Sequence, residues 1–343
     1  MSLPDPIGSV MFETFHNNCR GEISVRLIEA GINLGVFDYL LQPREPGEVA
    51  GGLKLDAGVT PIFLKALTLL GLVEEKGGRY QTSPVGAALF SSRESLNIIG
   101  GLRQMKSMVL DPLAGICGLI QNGPTASAAA VGGEETWAEA ARAGAAWVFY
   151  GAGKKLADIL ESQDGFADFT SMLDLGGGHG VFSIYVADRN PGLKIKVFDR
   201  PQVLKAADDF ISEYGLEEQI QTLPGDYLTD DLGQGYDLIL ASGTLNFAYA
   251  AGALSQVIQK VLHALKPGGL FVSLHDACPR PGETMENPGP ILDHLAYSML
   301  FGADITLMRG TIAGLCLEQG FRQVRSMPFD SPAGELDLDI ATK

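Results

Sequence analysis

The sequence predicts an α/β protein: a doubly wound sheet with helices on both faces over residues 166–343, preceded by a smaller helical domain at 1–95 and a helical connection at 96–165. Three observations carry that reading. Apolar, strand-like runs alternate with helix-like segments through the C-terminal half, which is the pattern of a parallel sheet covered on both faces. The first run, with Met172, Leu173 and Leu175, ends in Gly176-Gly177-Gly178-His179-Gly180 and passes into a helical segment, VFSIYVADRN. The next run, LKIKVFD, ends on an acidic residue, Asp199, roughly 20 positions beyond the loop.

The elements follow in chain order. Residues 9–42 read as helix, with Val10, Phe12, Phe15, Ile23, Leu27, Ile28, Ile32, Leu34, Val36 and Leu40 at mostly helical spacings and a break near Gly31. Pro43 and Pro46 stop the pattern. Two short helical pieces come next, EVAGGLKL and TPIFLKALTLLGLV, the second with Thr60 as N-cap and Pro61 at its first position. VEEKGGRYQTSP reads as a hairpin turning at Gly77-Gly78, with its second strand ending at Pro84. Short helices followed by a two-stranded wing make a winged-helix arrangement. Many such domains bind DNA, but the helix at 60–72 that would enter the groove carries one basic residue, Lys65, and is otherwise apolar. Such a helix is expected to be buried rather than laid against bases.

Residues 91–165 read as mostly helical, interrupted by a small-residue loop, GPTASAAAVGGEE. Met105, Met108, Trp137, Trp147, Phe149 and Tyr150 in this region are candidates for lining a substrate pocket or for ordinary core. In the C-terminal half, strands are expected at 171–175, 194–199, 219–223, 236–241, 269–275, 322–328 and 335–341. In such sheets ligands lie at the carboxyl ends of the strands. Asp174, the glycine loop, Asp199 and Asp226 all fall at or near such ends.

A strand, a glycine loop and a helix form the layout of a nucleotide-type cofactor site. Glycine permits the tight turn, and the helix N-terminus offers free N–H groups. The spacing here is G-x-G-x-G, and the third glycine of a dinucleotide fingerprint would fall on Val181, which argues against NAD. Asp199 is placed to accept hydrogen bonds from ribose hydroxyls. In Gly225-Asp226-Tyr227, after the third strand, a carboxylate is placed to meet an adenine amino group and an aromatic ring to cover the base.

Composition narrows the partners. The net charge is −16, which disfavours nucleic acid, since that binding draws on clustered Lys and Arg. Cys19, Cys117, Cys278 and Cys316 are widely spaced with no C-x-x-C, so free thiols in a reducing compartment are expected. MSLPDPIGSVMFETF has neither a basic nor an apolar leader region, and no apolar run reaches membrane-span length. The expectation is a cytoplasmic protein with no membrane partner.

The ordered motifs LDLGGGHG (173–180), FDRP (198–201), GDY (225–227) and LKPGG (265–269) resemble those of the S-adenosylmethionine-dependent O-methyltransferases of the plant and bacterial small-molecule type. The resemblance extends to the N-terminal domain through GVFDYL, FLKALTLLGLVEE and GRYQTSPVGAALF. It implies a Rossmann-like methyltransferase domain preceded by a winged-helix domain that serves dimerisation, hence a homodimer. It also implies S-adenosylmethionine as cofactor, S-adenosylhomocysteine as product, and methyl transfer to an oxygen, or alternatively a carbon, of an apolar aromatic small molecule. Its cofactor-binding residues are Asp174, Gly176, Gly178, Asp199, Arg200, Asp226, Tyr227 and Ser242. Gly176 and Gly178 pass near the methionine part, Asp199 holds the ribose, and Asp226 and Tyr227 hold the adenine, covered by the aliphatic stem of Arg200.

One departure bears on function. Where the family reads like L-K-H-x-L-H-D-W, this chain has ASGTLNFA, so the lysine falls on Ser242, the general-base histidine on Asn246 and the following aspartate on Phe247. Asn246 cannot take a proton; it can orient a substrate or accept a hydrogen bond. Three explanations stand. Another residue is the base, with His275, Asp276, His294, Tyr297 and Tyr249 as candidates. Or the acceptor is an acidic phenol, a thiol or a stabilised carbon that needs little help. Or the protein binds the cofactor without transferring methyl, as a regulatory relative. Asn246, His275 and His294 are therefore carried as the catalytic candidates. His275, Asp276 and His294 also make a two-histidine, one-carboxylate set, but adjacent strand residues face opposite ways, and no metal is expected. His16 and His263 sit in ordinary helical contexts, and His179 is read as structural or cofactor-adjacent.

Overall fold

The computed structural model describes residues 9–94, 96–124, 134–285 and 287–343, with side chains from residue 12 onward except at 134–140. Most of the predicted small-residue loop, together with the side chains of Val10 and Trp137, lies outside the described residues. Two compact units are present, Met1–Ile99 and Gly100–Lys343, so the predicted connection joins the second unit from residue 100 onward.

In the first unit a long helix, Ser9–Asn33, is followed by a single turn, Val36–Tyr39. The break falls at Gly35, whose φ of 71° only glycine adopts at low cost, and not at Gly31. Helices Pro46–Leu53 and Val59–Leu69 follow. Thr60 is not the N-cap of the second. Asp56 does that work, its Oδ1 accepting from Gly58 N and Val59 N at 2.9 and 2.8 Å. The wing is the strand pair β1 (Val73–Lys76) and β2 (Arg79–Thr82), with Gly77 and Gly78 both at positive φ in its turn. Helix Val59–Leu69 buries Thr60, Leu64 and Leu67 but leaves Ile62 69% and Leu69 82% exposed, so within this unit only one of its faces is covered.

The second unit begins with helices Ile99–Met105, Ile116–Asn122 and Glu134–Trp147, with π-helical turns at Lys106–Leu110 and Val148–Ala152, and then helix Gly153–Glu161. Strands β3 (Ser171–Leu175), β4 (Lys194–Asp199), β5 (Ile220–Pro224), β6 (Tyr236–Ser242) and β7 (Leu265–His275) come next. A short parallel pair, β8 (Ala277–Cys278) and β9 (Leu307–Met308), precedes β10 (Gln323–Ser331) and β11 (Gly334–Thr342). The main sheet runs β10-β11-β7-β6-β3-β4-β5. It is mixed rather than wholly parallel: β10 pairs antiparallel with β11, and β11 antiparallel with β7. The two residues between β10 and β11, Pro332 and Ala333, permit nothing else, because parallel neighbours need a long crossover.

Period-two alternation divides the core. Met172, Val197, Leu240 and Val272 join the cluster on one face, and Leu173, Phe198, Ile239 and Phe271 the cluster on the other. Each such buried side chain contributes about 1.5–3 kcal/mol. The strand order reverses between β3 and β6, and a crevice opens there at the carboxyl ends of the strands.

Candidate active site

The loop leaving β3 is built on backbone geometry. Gly176, Gly178 and Gly180 have φ of 67°, 56° and 68°. A Cβ at Gly176 would stand 2.3 Å from Thr244 Oγ1, whereas at Gly178 it would meet nothing within 4 Å, so that stretch of backbone faces open space. Asp199 holds the loop: its Oδ2 accepts from Gly178 N at 2.9 Å and its Oδ1 from Arg200 N at 2.7 Å. Val181 N donates to His179 Nδ1 at 3.1 Å, which makes His179 a cap on the following helix.

Asp226 and Tyr227 sit on a turn fixed from two sides. Asp230 Oδ2 accepts from Asp226 N at 2.9 Å, and the ammonium of Lys260 donates to the carbonyls of Tyr227, Leu228 and Asp230 at 3.1, 3.0 and 2.9 Å. Lys260 lies on helix Leu254–Ala264 and no motif marks it. Tyr227 donates its hydroxyl to Thr244 O at 3.2 Å, which ties this turn to the end of β6.

Together these groups surround a cavity of about 470 Å³, lined by Gly176, Gly178, Asp199, Arg200, Asp226 and Tyr227 among others. Its size falls in the range of small-molecule sites. With two carboxylates, bare glycine backbone and a tyrosine ring, the lining fits an adenosyl group.

Two other expected cofactor residues are placed elsewhere. Ser242 lines a neighbouring cavity, and Asp174 lies beneath the loop, 1% exposed, accepting from Ser183 Oγ at 2.7 Å. Asp174 Oδ1 has no partner, and burial pushes the carboxyl up to about 7. Because its proton is held more tightly folded than unfolded, Asp174 costs stability as pH rises from its ordinary 3.8 to about 7, and that cost is constant above. Asp174→Asn keeps an acceptor for Ser183 and removes the charge. The expected result is a melting temperature raised by about 2–4 °C at pH 8 and unchanged or lowered at pH 4, read by calorimetry of the cofactor-free protein.

The neighbouring cavity has about 230 Å³ and shares Gly243 with the first. Trp147, Met105 and Tyr297 form much of its apolar wall, and His275, Asp276, Asp293 and His294 are its ionisable lining. Of the other pocket candidates, Phe149 packs against Tyr185, Phe210 and Tyr214, Tyr150 is 40% exposed, and Met108 is buried beside Ala296.

The three catalytic candidates occupy different settings. Asn246 is fully buried on helix Leu245–Ala250 and donates its amide to Asp276 O at 3.1 Å and Ile305 O at 3.0 Å. Both partners are acceptors, so nitrogen must face them. The same Nδ2 stands 3.4 Å from His294 Nδ1. His294, on helix Gly289–Phe301, turns Nδ1 to Asp276 Oδ2 at 3.4 Å. In the tautomer with hydrogen on Nδ1, facing that carboxylate, Nε2 is left for an acceptor molecule. Thus a histidine from a distant helix comes to rest against the asparagine that stands where the resembled family has its base.

His275 is engaged elsewhere. Its Nδ1 lies 3.1 Å from Ser273 Oγ, its Nε2 3.9 Å from Asp339 Oδ2, and burial pushes it down to about 4. It lines the same cavity as Asp276 and His294, but among the described residues no three metal-ligating side chains group closely enough to hold an ion. Tyr249 is 40% exposed and lines neither cavity. Asp293 and Lys260 carry no motif, and sequence reading passed over both.

Fold and comparisons define the class: the protein is an S-adenosylmethionine-dependent methyltransferase. Residues 154–287 match the model of the O-methyltransferase domain. The chain is 26% identical over 333 residues to the N,N-dimethyltransferase OxyT of Streptomyces rimosus, covering 93% of this chain and 92% of that one. It is 26% identical over 303 residues to human acetylserotonin O-methyltransferase, covering 84% and 85%. Among solved structures, human N-acetylserotonin methyltransferase in complex with SAM superposes with a TM-score of 0.74 at 23% identity, over 100% of this chain and 99% of that one, a likeness of fold. An O-methyltransferase family protein from Burkholderia thailandensis superposes with a TM-score of 0.76 at 19% identity.

Proposed function

We propose that the protein moves the methyl group of S-adenosylmethionine to a nucleophilic heteroatom of an apolar aromatic small molecule, with His294 as general base and Asp276 as the group that orients it. The observation that carries this is the shared wall. A cavity suited to an adenosyl group and a smaller one with a His–Asp pair meet at Gly243. When bound, S-adenosylmethionine supplies an electrophilic methyl. The chain's own residues hold the acceptor between Trp147 and Tyr297 and take its proton at Nε2 of His294. Confining nucleophile and methyl to abutting cavities contributes several kcal/mol by removing a bimolecular encounter. Asp199, Asp226, Tyr227 and the glycine backbone bind the cofactor in this reading. Relatives named for both O- and N,N-methylation support a heteroatom acceptor. The His–Asp pair favours transfer over a silent cofactor-binding relative.

The test has two stages: calorimetric titration with S-adenosylhomocysteine, then methyl-labelled cofactor with a panel of aromatic alcohols and amines. Binding followed by labelled product is expected. Tight binding with no transfer to any acceptor supports the silent reading, and no binding overturns the proposal.

The N-terminal unit is proposed to form a homodimer. Ile62 and Leu69 on helix Val59–Leu69, and Phe12, Phe15 and Ile23 on the first helix, are 61–82% exposed large apolar side chains of a kind that marks an association surface. Leu69→Glu is expected to shift the protein from dimer to monomer in light scattering; a wild-type monomer removes the idea. The whole chain's net charge of −16 argues against a nucleic-acid partner. Among the described residues no helix is long and apolar enough to cross a membrane. The four free cysteines fit a cytoplasmic location.

A further inference from the structure

We infer that the acceptor is a cationic arylalkylamine and that nitrogen is the atom methylated, selected by Asp276 and Asp293, which line the smaller cavity together with His294. The inference rests on the reading that this cavity, by its shared wall with the cofactor cavity, receives the acceptor. The acidic pair does not create the site; it sets the charge of a site that position already defines.

Charge decides between oxygen and nitrogen. The described lining contains two carboxylates and neither lysine nor arginine. Asp276 faces His294 at 3.4 Å, and Asp293 precedes His294 on the same helix, within the electrostatic reach of both His294 and Asp276. One imidazolium can balance one of these carboxylates, and the other remains. A phenol that gave its proton to His294 would leave an oxyanion beside two carboxylates, with the new imidazolium as the one cation of the lining set against three anionic groups. An amine presents the opposite sign, since its nitrogen is positive on arrival and positive again once methylated. Burial pushes both Asp276 and Asp293 above the ordinary carboxylate range, which is the cost a cationic ligand would relieve. Trp147 and Tyr297 add aromatic faces, which attract cations.

The step balances as follows. The bound ammonium gives one proton to Nε2 of His294 and becomes a neutral amine. Its lone pair forms the N–CH₃ bond as the S–CH₃ bond breaks, and that bond's electron pair stays on sulfur, which becomes a neutral thioether. The product is a methylated ammonium, and the released proton resides on His294 beside Asp276 until it leaves to water.

The test uses the full chain loaded with S-adenosylhomocysteine and three probes of one shape: naphthylmethylamine, naphthylmethanol and naphthoic acid. Calorimetry at neutral pH is expected to show the amine bound at least about tenfold more tightly than the alcohol, as for charge-assisted contacts, with the acid weakest. Asp293→Asn is expected to cut the amine's advantage to about threefold or less while leaving the alcohol's affinity in place. With methyl-labelled cofactor, label is expected on the amine nitrogen. Equal affinities, a preference for the acid, no measurable binding of the amine, or label on the alcohol alone would overturn the inference. Failure to load S-adenosylhomocysteine would instead overturn the methyltransferase reading beneath it, so the two failures are told apart before any probe is added.

Discussion

His294→Ala lowers the rate of methyl transfer by about 10²-fold or more, the usual worth of a positioned general base, and leaves cofactor affinity unchanged. Three features of the structure lead there. His294 lines the smaller cavity, its Nδ1 faces Asp276 Oδ2 at 3.4 Å, and the position where a family base is expected holds a buried asparagine whose amide is spent on two carbonyls. Asp276→Asn is expected to cost less than His294→Ala, because the imidazole remains while its tautomer is no longer held. His263→Ala, on the exposed side of helix Leu254–Ala264, serves as the control. The measurement is single-turnover transfer from methyl-labelled cofactor to an acceptor the wild type methylates. Equal, small losses in the His294 and His263 variants would remove His294 from the chemistry.

Asp199→Ala weakens binding of S-adenosylhomocysteine by about 10²-fold, as removal of hydrogen bonds to a charged group does. Two losses combine. The carboxylate proposed to hold the ribose is gone, and so is the acceptor for Gly178 N, which shapes the loop at 2.9 Å. Asp199→Asn keeps one acceptor oxygen and is expected to fall between the two. Titration calorimetry reads the affinity, and an alanine variant that binds as the wild type does would place the ribose elsewhere. Transfer at saturating cofactor should change far less than affinity, since Asp199 lines the larger cavity and not the smaller one.

The cofactor half of the site was legible because its parts are local. A glycine loop, the acidic end of the next strand and a Gly-Asp-Tyr turn each announce themselves within a few residues, and sheet topology brings strand ends together wherever the order reverses. The catalytic half was not. His294 and Asn246 are 48 positions apart and meet only because helix Gly289–Phe301 packs against β11 and carries His294 to helix Leu245–Ala250. His275 looked as eligible as His294 from its place at a strand end. Only the structure shows its ring buried with Nδ1 beside Ser273 Oγ, a burial that pushes it down to about 4. Ser242 and Asp174 were read as cofactor residues by motif. Strand alternation turns one into the smaller cavity and buries the other under the loop.

By itself the chain determined its fold class, its ordered loops and the chemistry of its cofactor, since periodicity and glycine placement act over short stretches of backbone. The meeting of His294 with Asp276 and Asn246 and the withdrawal of Asp174 beneath the loop were decided by tertiary structure. Those outcomes depend on which distant side chains are desolvated together, and no spacing along the chain records that.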